Sequence, residues 1–456
     1  MKIILSLLVF LGTVVFGEFP TLPALAIALW FLFAYELFFR SSHRLAFREF
    51  LLALYGLNYL LAPAITYTFP DHLVSYKMKM PRDEYFELAI PAMLCLRIGL
   101  FAIKTKIFDV PYEAVRLQAH INQRVLKGWV IAGIILSFVF RYAPTELGFF
   151  VYLLSLIRFV AAFALFSLDR KKYRWWVLGV LFFEISKSIM GGMFHDMAMW
   201  LIFFCIFWVY LAKFKLWVKV SLASIAVFSF FVLQLSKSEY RQKTWFGNEE
   251  AGLEVFQEVV SKNIAAERGL FSQANIASSL TRVNQAWILA STVNHMERTR
   301  DFQGMNLMSR YIEGALLPRF LAPNKITSGS KDIFNRFSGH RIGSNTSMGL
   351  GIFADGYIAY GYWGALLFGL GLGLLFAVVF KIVERWAEIS PFFILFILPI
   401  LNYAVRPDCE TQTTIGHLVK SVVLYGLLVV TYKKYFTKEV SFERKERTIP
   451  RFKTVP

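Results

Sequence analysis

The sequence predicts an all-α polytopic membrane protein of about twelve transmembrane helices. Of its 456 residues, 57% are hydrophobic and only 18% charged, and the mean hydropathy is +0.52. Soluble domains carry about 25% charged residues and break their apolar runs early. Here apolar runs near the length of a bilayer span recur along most of the chain. A helix satisfies its own backbone in hydrocarbon and needs about 20 residues to cross it. The 17% aromatic content fits interfacial belts and helix packing alike.

Spans are expected at 3–17, 22–39, 50–67, 86–103, 128–141, 147–167, 175–192, 196–212, 216–234, 357–380, 391–404 and 415–431. The first resembles a signal peptide, with Lys2, an apolar run and Gly17. It lacks a clear A-x-A pattern and another span follows at once, so it is read as a first transmembrane helix. Positive charge sets the direction. Alternate connections carry "RSSHRLAFRE" (40–49), a basic stretch at 104–127, "DRKKYR" (169–174), "KFK" (213–215) and "KIVERWAEIS" (381–390). The tail from Lys433 is basic as well. All of these fall on one side, which is therefore cytoplasmic, with both termini on it. Three opposite connections, "EFPTL", "APTELG" and "MGGMFHD", carry little positive charge.

One connection is long. Residues 235–356 lie on the outer side, and loops beyond about 60 residues are exempt from the charge rule. The chain thus divides into spans one to nine (1–234), a large periplasmic loop (235–356), spans ten to twelve (357–431) and a basic cytoplasmic tail (432–456). A structureless loop of that length is improbable, so amphipathic helices are expected in it. Ile276, Leu280, Val283 and Trp287 recur at helical spacing, as do Met308, Tyr311, Ile312 and Ala315.

The net charge of +18 is read as membrane orientation, and no nucleic-acid partner is expected. Cys95, Cys205 and Cys409 are far apart, which offers neither a disulfide framework nor zinc spacing. No phosphate-cradling G-x-x-x-x-G-K-[ST], H-E-x-x-H or G-x-S-x-G motif is present. The cytoplasmic connections are too short for a nucleotide-binding domain. That argues against ATP or a sugar-nucleotide donor on the inside, and no cofactor or metal is expected.

The outer loop is where chemistry gathers. From Arg310 to Arg341 cations outnumber acids, through Arg310, Arg319, Lys325, Lys331, Arg336 and Arg341. Arg310 can pair with Glu313 one turn on. Arg319, after Pro318, has no local acid. Its guanidinium can grip a phosphate in bidentate fashion or snorkel toward headgroups. In "SGHRIGSNTS" (338–347), glycines and hydroxyls can present backbone N–H groups to an anion. His340 is there either a general base or a structural loop residue. Within spans, Arg97, Arg158, Glu184 and Lys187 are costly in hydrocarbon, and Glu184 and Lys187 can neutralise one another. Lys187, His195, Asp196, Arg406, Glu410, His417 and Lys420 lie toward the outer half of the threaded chain. Together these polar groups point to a site at the outer membrane boundary.

The residues "EYRQK" (239–243), "TRVNQ" (281–285), "LLPRFLAPNK" (316–325) and "TSMGLGIFADGYIAYGYWG" (346–364) resemble the Wzy-type O-antigen polymerases, the bacterial oligosaccharide repeat-unit polymerases. Resemblance in organisation covers nearly the whole chain, and motif-level resemblance covers the outer loop and the next span. It implies a GT-C-like polymerase or ligase architecture in the bacterial inner membrane. The implied glycosyltransferase reaction moves a growing undecaprenyl-pyrophosphate-linked oligosaccharide onto the sugar end of another lipid-linked repeat unit, without metal or nucleotide. The family's functional arginines map by motif to Arg241, Arg282 and Arg319. The expected catalytic set is Arg319, His340 and Arg282; the expected substrate-binding set is Arg241, Arg310, Lys325, Arg336, Arg341 and Tyr357. Tyr357 can line a glycan path or serve as an ordinary interfacial aromatic. The expected partners are the lipid-linked oligosaccharide, the bilayer, a chain-length regulator and a flippase. The competing readings are a lipid-linked glycan flippase or transporter and an O-antigen-type ligase.

Overall fold

The computed structural model describes residues 2–435 apart from 110–114, 117–118, 121, 248, 266–270, 318–320, 323, 327–328 and 344–345. The described residues form helices and connections, with no strand. In chain order the first nine helices are α1 (Lys2–Val15), α2 (Thr21–Arg40), α3 (Phe47–Thr66), α4 (Arg82–Ala102), α5 (Gln123–Val139), α6 (Leu147–Leu168), α7 (Arg170–Gly191), α8 (His195–Ala212) and α9 (Leu216–Phe246). The long connection holds α10 (Leu253–Ala265), α11 (Gln273–Val283), α12 (Ala286–Thr299), α13 (Met305–Leu316) and α14 (Lys331–Ser338). After it come α15 (Ile352–Ile389), α16 (Pro391–Ala404) and α17 (Thr411–Tyr435).

Among the described residues, eight helices are long and apolar enough to cross a membrane: α2, α3, α4, α6, α8, α9, α15 and α17. That is fewer than the twelve expected. The other four apolar segments also fall on helices, but α1, α5 and α16 are short. In α7, a basic first turn plus Glu184 and Lys187 dilute the apolar run.

Prolines inside these helices show how freed carbonyls are satisfied in an apolar setting. Pro63 in α3 cannot bond the carbonyl of Tyr59, and that carbonyl accepts the Tyr85 hydroxyl at 2.9 Å. Pro91 in α4 frees the Glu87 carbonyl, which accepts the Tyr362 hydroxyl at 3.3 Å. Both bonds run between helices, so each proline becomes a packing contact.

Helices α4 and α15 cross on a seam of glycines. A Cβ on Gly373 would stand 2.3 Å from the Leu96 carbonyl, and one on Gly99 2.2 Å from that of Leu370. Small residues at such spacing let backbones approach where lipid offers no hydrophobic drive. α15 is also broken. Tyr360 and Gly361 leave helical geometry, Gly361 at φ +61°, and the chain folds back so that Gly364 lies against the Gly356 carbonyl. The backbone N–H groups of Gln303 and Gly304 cap the Ile358 and Ala359 carbonyls at 2.9 and 3.0 Å. The expected span at 357–380 therefore straddles this break, and the long helix is 362–389.

The charges that the sequence placed within spans, Arg97, Arg158, Glu184 and Lys187, are paired. Arg97 grips Glu36 at 3.0 Å with Lys2 beside it at 2.6 Å. Arg158, wholly buried, meets Glu184 at 2.6 Å, and Lys187 meets the same carboxylate at 2.9 Å. The basic connections gather at one end of the bundle. Ser42 donates to the Phe214 carbonyl, Arg48 to that of Ile103 and Arg170 to that of Leu211, while the Lys106 N–H reaches Glu384. The long-connection helices sit at the other end. Asn284 there bonds Thr66 at the end of α3 at 2.9 Å and accepts from the Ala286 N–H at 3.0 Å. This cap separates α11 from α12, so the period from Ile276 to Trp287 spans two helices. In α13 the buried face is Leu307, Tyr311, Gly314 and Ala315, while Ile312 of the expected stripe is exposed.

Candidate functional site

The turn between α7 and α8 opens the site. Gly192 adopts φ +60° and ends α7, a conformation that a side chain would strain. Its carbonyl accepts Arg241 Nε at 2.8 Å, and the neighbouring Ile189 carbonyl accepts the buried Tyr240 hydroxyl at 2.8 Å. The last turns of α9 are thereby pinned to this turn. The Arg241 guanidinium lies 4.3 Å from the centre of the Trp245 ring, which packs against Gly192.

Around this anchor, cations from separate elements converge. Lys237, one turn before Arg241, is half-buried within electrostatic reach of Arg241, Arg282 and Arg406. Arg282, at the end of α11, is exposed and makes no hydrogen bond or ion pair among the described residues. Arg406, between α16 and α17, forks onto Asp408 at 3.1 and 2.5 Å and lies 4.6 Å from the Tyr403 ring centre. Burial opposes charge on both members of this pair, but mutual attraction wins. It holds Arg406 above its ordinary value and Asp408 below its own. Lys237 thus has Arg241, Arg282 and Arg406 within reach, and Asp408, paired to Arg406, is the carboxylate within reach of Lys237.

Polar groups from the bundle complete the site. His195 opens α8 within reach of Arg406, Asp408 and Lys237, and its Nε2 is buried without a hydrogen-bond partner. Beside it, Asp196 accepts the Tyr152 hydroxyl at 3.3 Å, and Asn402 donates to that hydroxyl at 3.1 Å. Cations grouped with little counter-charge at the head of apolar helices can receive an anion, and a guanidinium fork matches phosphate oxygens. A diphosphate on an apolar anchor fits this chemistry.

Of the residues expected from sequence, Arg241 and Arg282 come together here. The others are placed elsewhere or have structural partners. His340 meets Ser291 Oγ at 3.0 Å and the edge or face of Trp287 at 5.4 Å between ring centres. Burial, with Lys79 nearby, lowers its pKa below the usual imidazole value. Lys325 donates to the Leu317 carbonyl at 2.7 Å, capping α13. Arg336 pairs with Asp301 at 2.8 Å, and Tyr357 donates to Glu297 at 2.6 Å. Arg310 and Arg341 are exposed. Arg319 lies outside the described residues. Arg406, His195 and Asp196 were visible in the sequence as polar groups of the outer half, and Lys237 as one cation of the long connection, without a reason to single them out. Tyr152 and Asn402 carried no signal, since each looks like an ordinary member of an apolar helix.

The chain belongs to a family described as a domain of unknown function (DUF8712), whose model matches residues 88–388. No curated protein and no solved structure matches it.

Proposed function

We propose that this DUF8712 chain is a lipid-linked glycan polymerase. In this reading twelve helices of GT-C-like arrangement hold it in the bacterial inner membrane, with both termini cytoplasmic and the 235–356 connection outside. It transfers a growing undecaprenyl-pyrophosphate-linked oligosaccharide onto the sugar end of another lipid-linked repeat unit. One observation carries the reading: Lys237, Arg241, Arg282 and Arg406 converge from three separate elements on one bundle end, with Asp408 ion-paired to Arg406.

As the anomeric C–O bond breaks, negative charge grows on the departing lipid pyrophosphate. Fixed cations aimed at that charge lower the barrier, since they need no reorganisation during the reaction. Arg282 is suited to this role because no protein group occupies its guanidinium among the described residues. Arg241 is positioned by Gly192 and Trp245, which fixes one wall of the receptor.

The test is reconstitution in detergent, where no membrane exists to flip across. Given lipid-pyrophosphate repeat units alone, without ATP or divalent metal, the purified protein yields a ladder of longer glycans and free lipid pyrophosphate. Folded protein that forms no ladder from its native repeat unit contradicts the polymerase and favours a flippase.

A further inference from the structure

A glycosyl transfer needs a base for the acceptor hydroxyl, and His340 packs on Trp287 and Ser291 with no described contact to the cation cluster. The carboxylates of the bundle can be sorted by their partners. Glu36 takes Lys2 and Arg97, Glu49 takes Arg40 and Arg44, and Glu184 takes Arg158 and Lys187. Asp355 accepts the Tyr311 hydroxyl and both the N–H and hydroxyl of Thr411. Asp408 is forked by Arg406. Asp196 forms no ion pair among the described residues, and its one hydrogen bond is the 3.3 Å contact from Tyr152.

Asp196 is also within electrostatic reach of Arg406, and a polar chain orients it. Asn402, fully buried on α16, donates to the Tyr152 hydroxyl, which in turn donates to Asp196 Oδ2. That leaves Oδ1 without a partner, and it is not among the sealed interior atoms. The neighbouring His195 Nε2 and, one turn on, Trp200 Nε1 are buried and unpartnered. Buried polar atoms without partners are uncommon, and His195 Nε2 beside Asp196 marks a place where a polar ligand or water completes the bonding.

We infer that Asp196 is the proton acceptor for the attacking sugar hydroxyl, with Tyr152 and Asn402 positioning it; this rests on the polymerase reading. The acceptor oxygen forms the new bond to the anomeric carbon as the bond from that carbon to the pyrophosphate oxygen breaks. The bonding electrons leave on the lipid pyrophosphate, which the cations receive, and the hydroxyl proton passes to Asp196 Oδ1.

The test measures single-turnover glycan transfer by purified protein, alongside binding of undecaprenyl pyrophosphate. General-base removal typically costs about 10²–10⁴-fold in rate. Asp196→Asn is therefore expected to lose at least about a hundredfold in turnover while binding the lipid as the parent does. Tyr152→Phe keeps the ring and loses the hydroxyl, so kcat is expected to fall about tenfold with KM unchanged, a smaller loss than removing the base itself. An Asp196→Asn protein that turns over normally, beside a parent that makes a ladder, overturns the assignment and leaves the polymerase reading intact. If Asp196→Asn does not fold, an unchanged kcat in Tyr152→Phe overturns it instead. A parent that makes no ladder removes the polymerase reading and this inference with it.

Discussion

Arg241 and Arg282, on α9 and α11, come within electrostatic reach of one another, although like charges at close range repel. Arg241 is fastened by the Gly192 carbonyl and the Trp245 ring, whereas Arg282 has no fastening among the described residues. Structure built only for stability would not set two guanidiniums and Lys237 together with so little counter-charge. The proposed anionic ligand would supply the missing counter-charge.

Arg282→Ala is accordingly expected to cut glycan transfer by about 10²–10³-fold, the usual effect of losing one donor to a developing anion. Since the side chain supports no described contact, membrane levels and thermal midpoint stay at parental values. Arg282→Lys recovers little, because an ammonium lacks the fork. Transfer assays with immunoblotting of membranes check both halves; normal polymer from Arg282→Ala removes this residue from the site.

Arg336→Ala behaves in the opposite way. Its partner Asp301 is on the surface, and exposed ion pairs contribute about 0–1 kcal/mol. Polymer length and yield should match the parent's on a gel. A loss as large as that of Arg282→Ala would mean that the loop cations act as one substrate-binding surface.

The seam of α4 and α15 supplies a prediction about the fold itself. Gly373→Leu drives a side chain into the Leu96 carbonyl, whereas a Cβ on Gly371 meets nothing within 4 Å. Overpacking of a fitted contact typically costs about 1–3 kcal/mol, and more where backbone blocks the way. Gly373→Leu should lower the thermal midpoint and the yield in detergent, while Gly371→Leu leaves both unchanged. Equal behaviour of the two variants would mean that the helices do not cross there.

Much of the helical plan was legible, because length and hydropathy alone mark a segment that can satisfy its backbone in lipid. Every apolar segment read from the sequence falls on a helix. What composition could not reveal was local. The break at Tyr360–Gly361 lies in an unbroken apolar run, and only the close approach of Gly356 and Gly364 makes it necessary. Asn284 looked like a polar residue in an amphipathic period, yet its bonds to Thr66 and Ala286 end one helix and start the next. In the site, the motif resemblance singled out Arg241 and Arg282, but three-dimensional convergence was needed to add Lys237 and Arg406. His340 stood out by type and lies against Trp287; Asp196 did not stand out, because its distinction is the partner it lacks.

The claim that these cations receive a lipid diphosphate is tested most directly by binding. Purified protein in detergent is titrated with undecaprenyl pyrophosphate and, separately, with the neutral undecaprenol. The parent is expected to prefer the pyrophosphate, and a Lys237→Met, Arg282→Ala variant to lose at least about tenfold in affinity for it, which is about 1.4 kcal/mol. Affinity for undecaprenol should not change. Equal pyrophosphate binding by parent and folded variant would contradict the assignment of this cluster as the substrate's anion receptor.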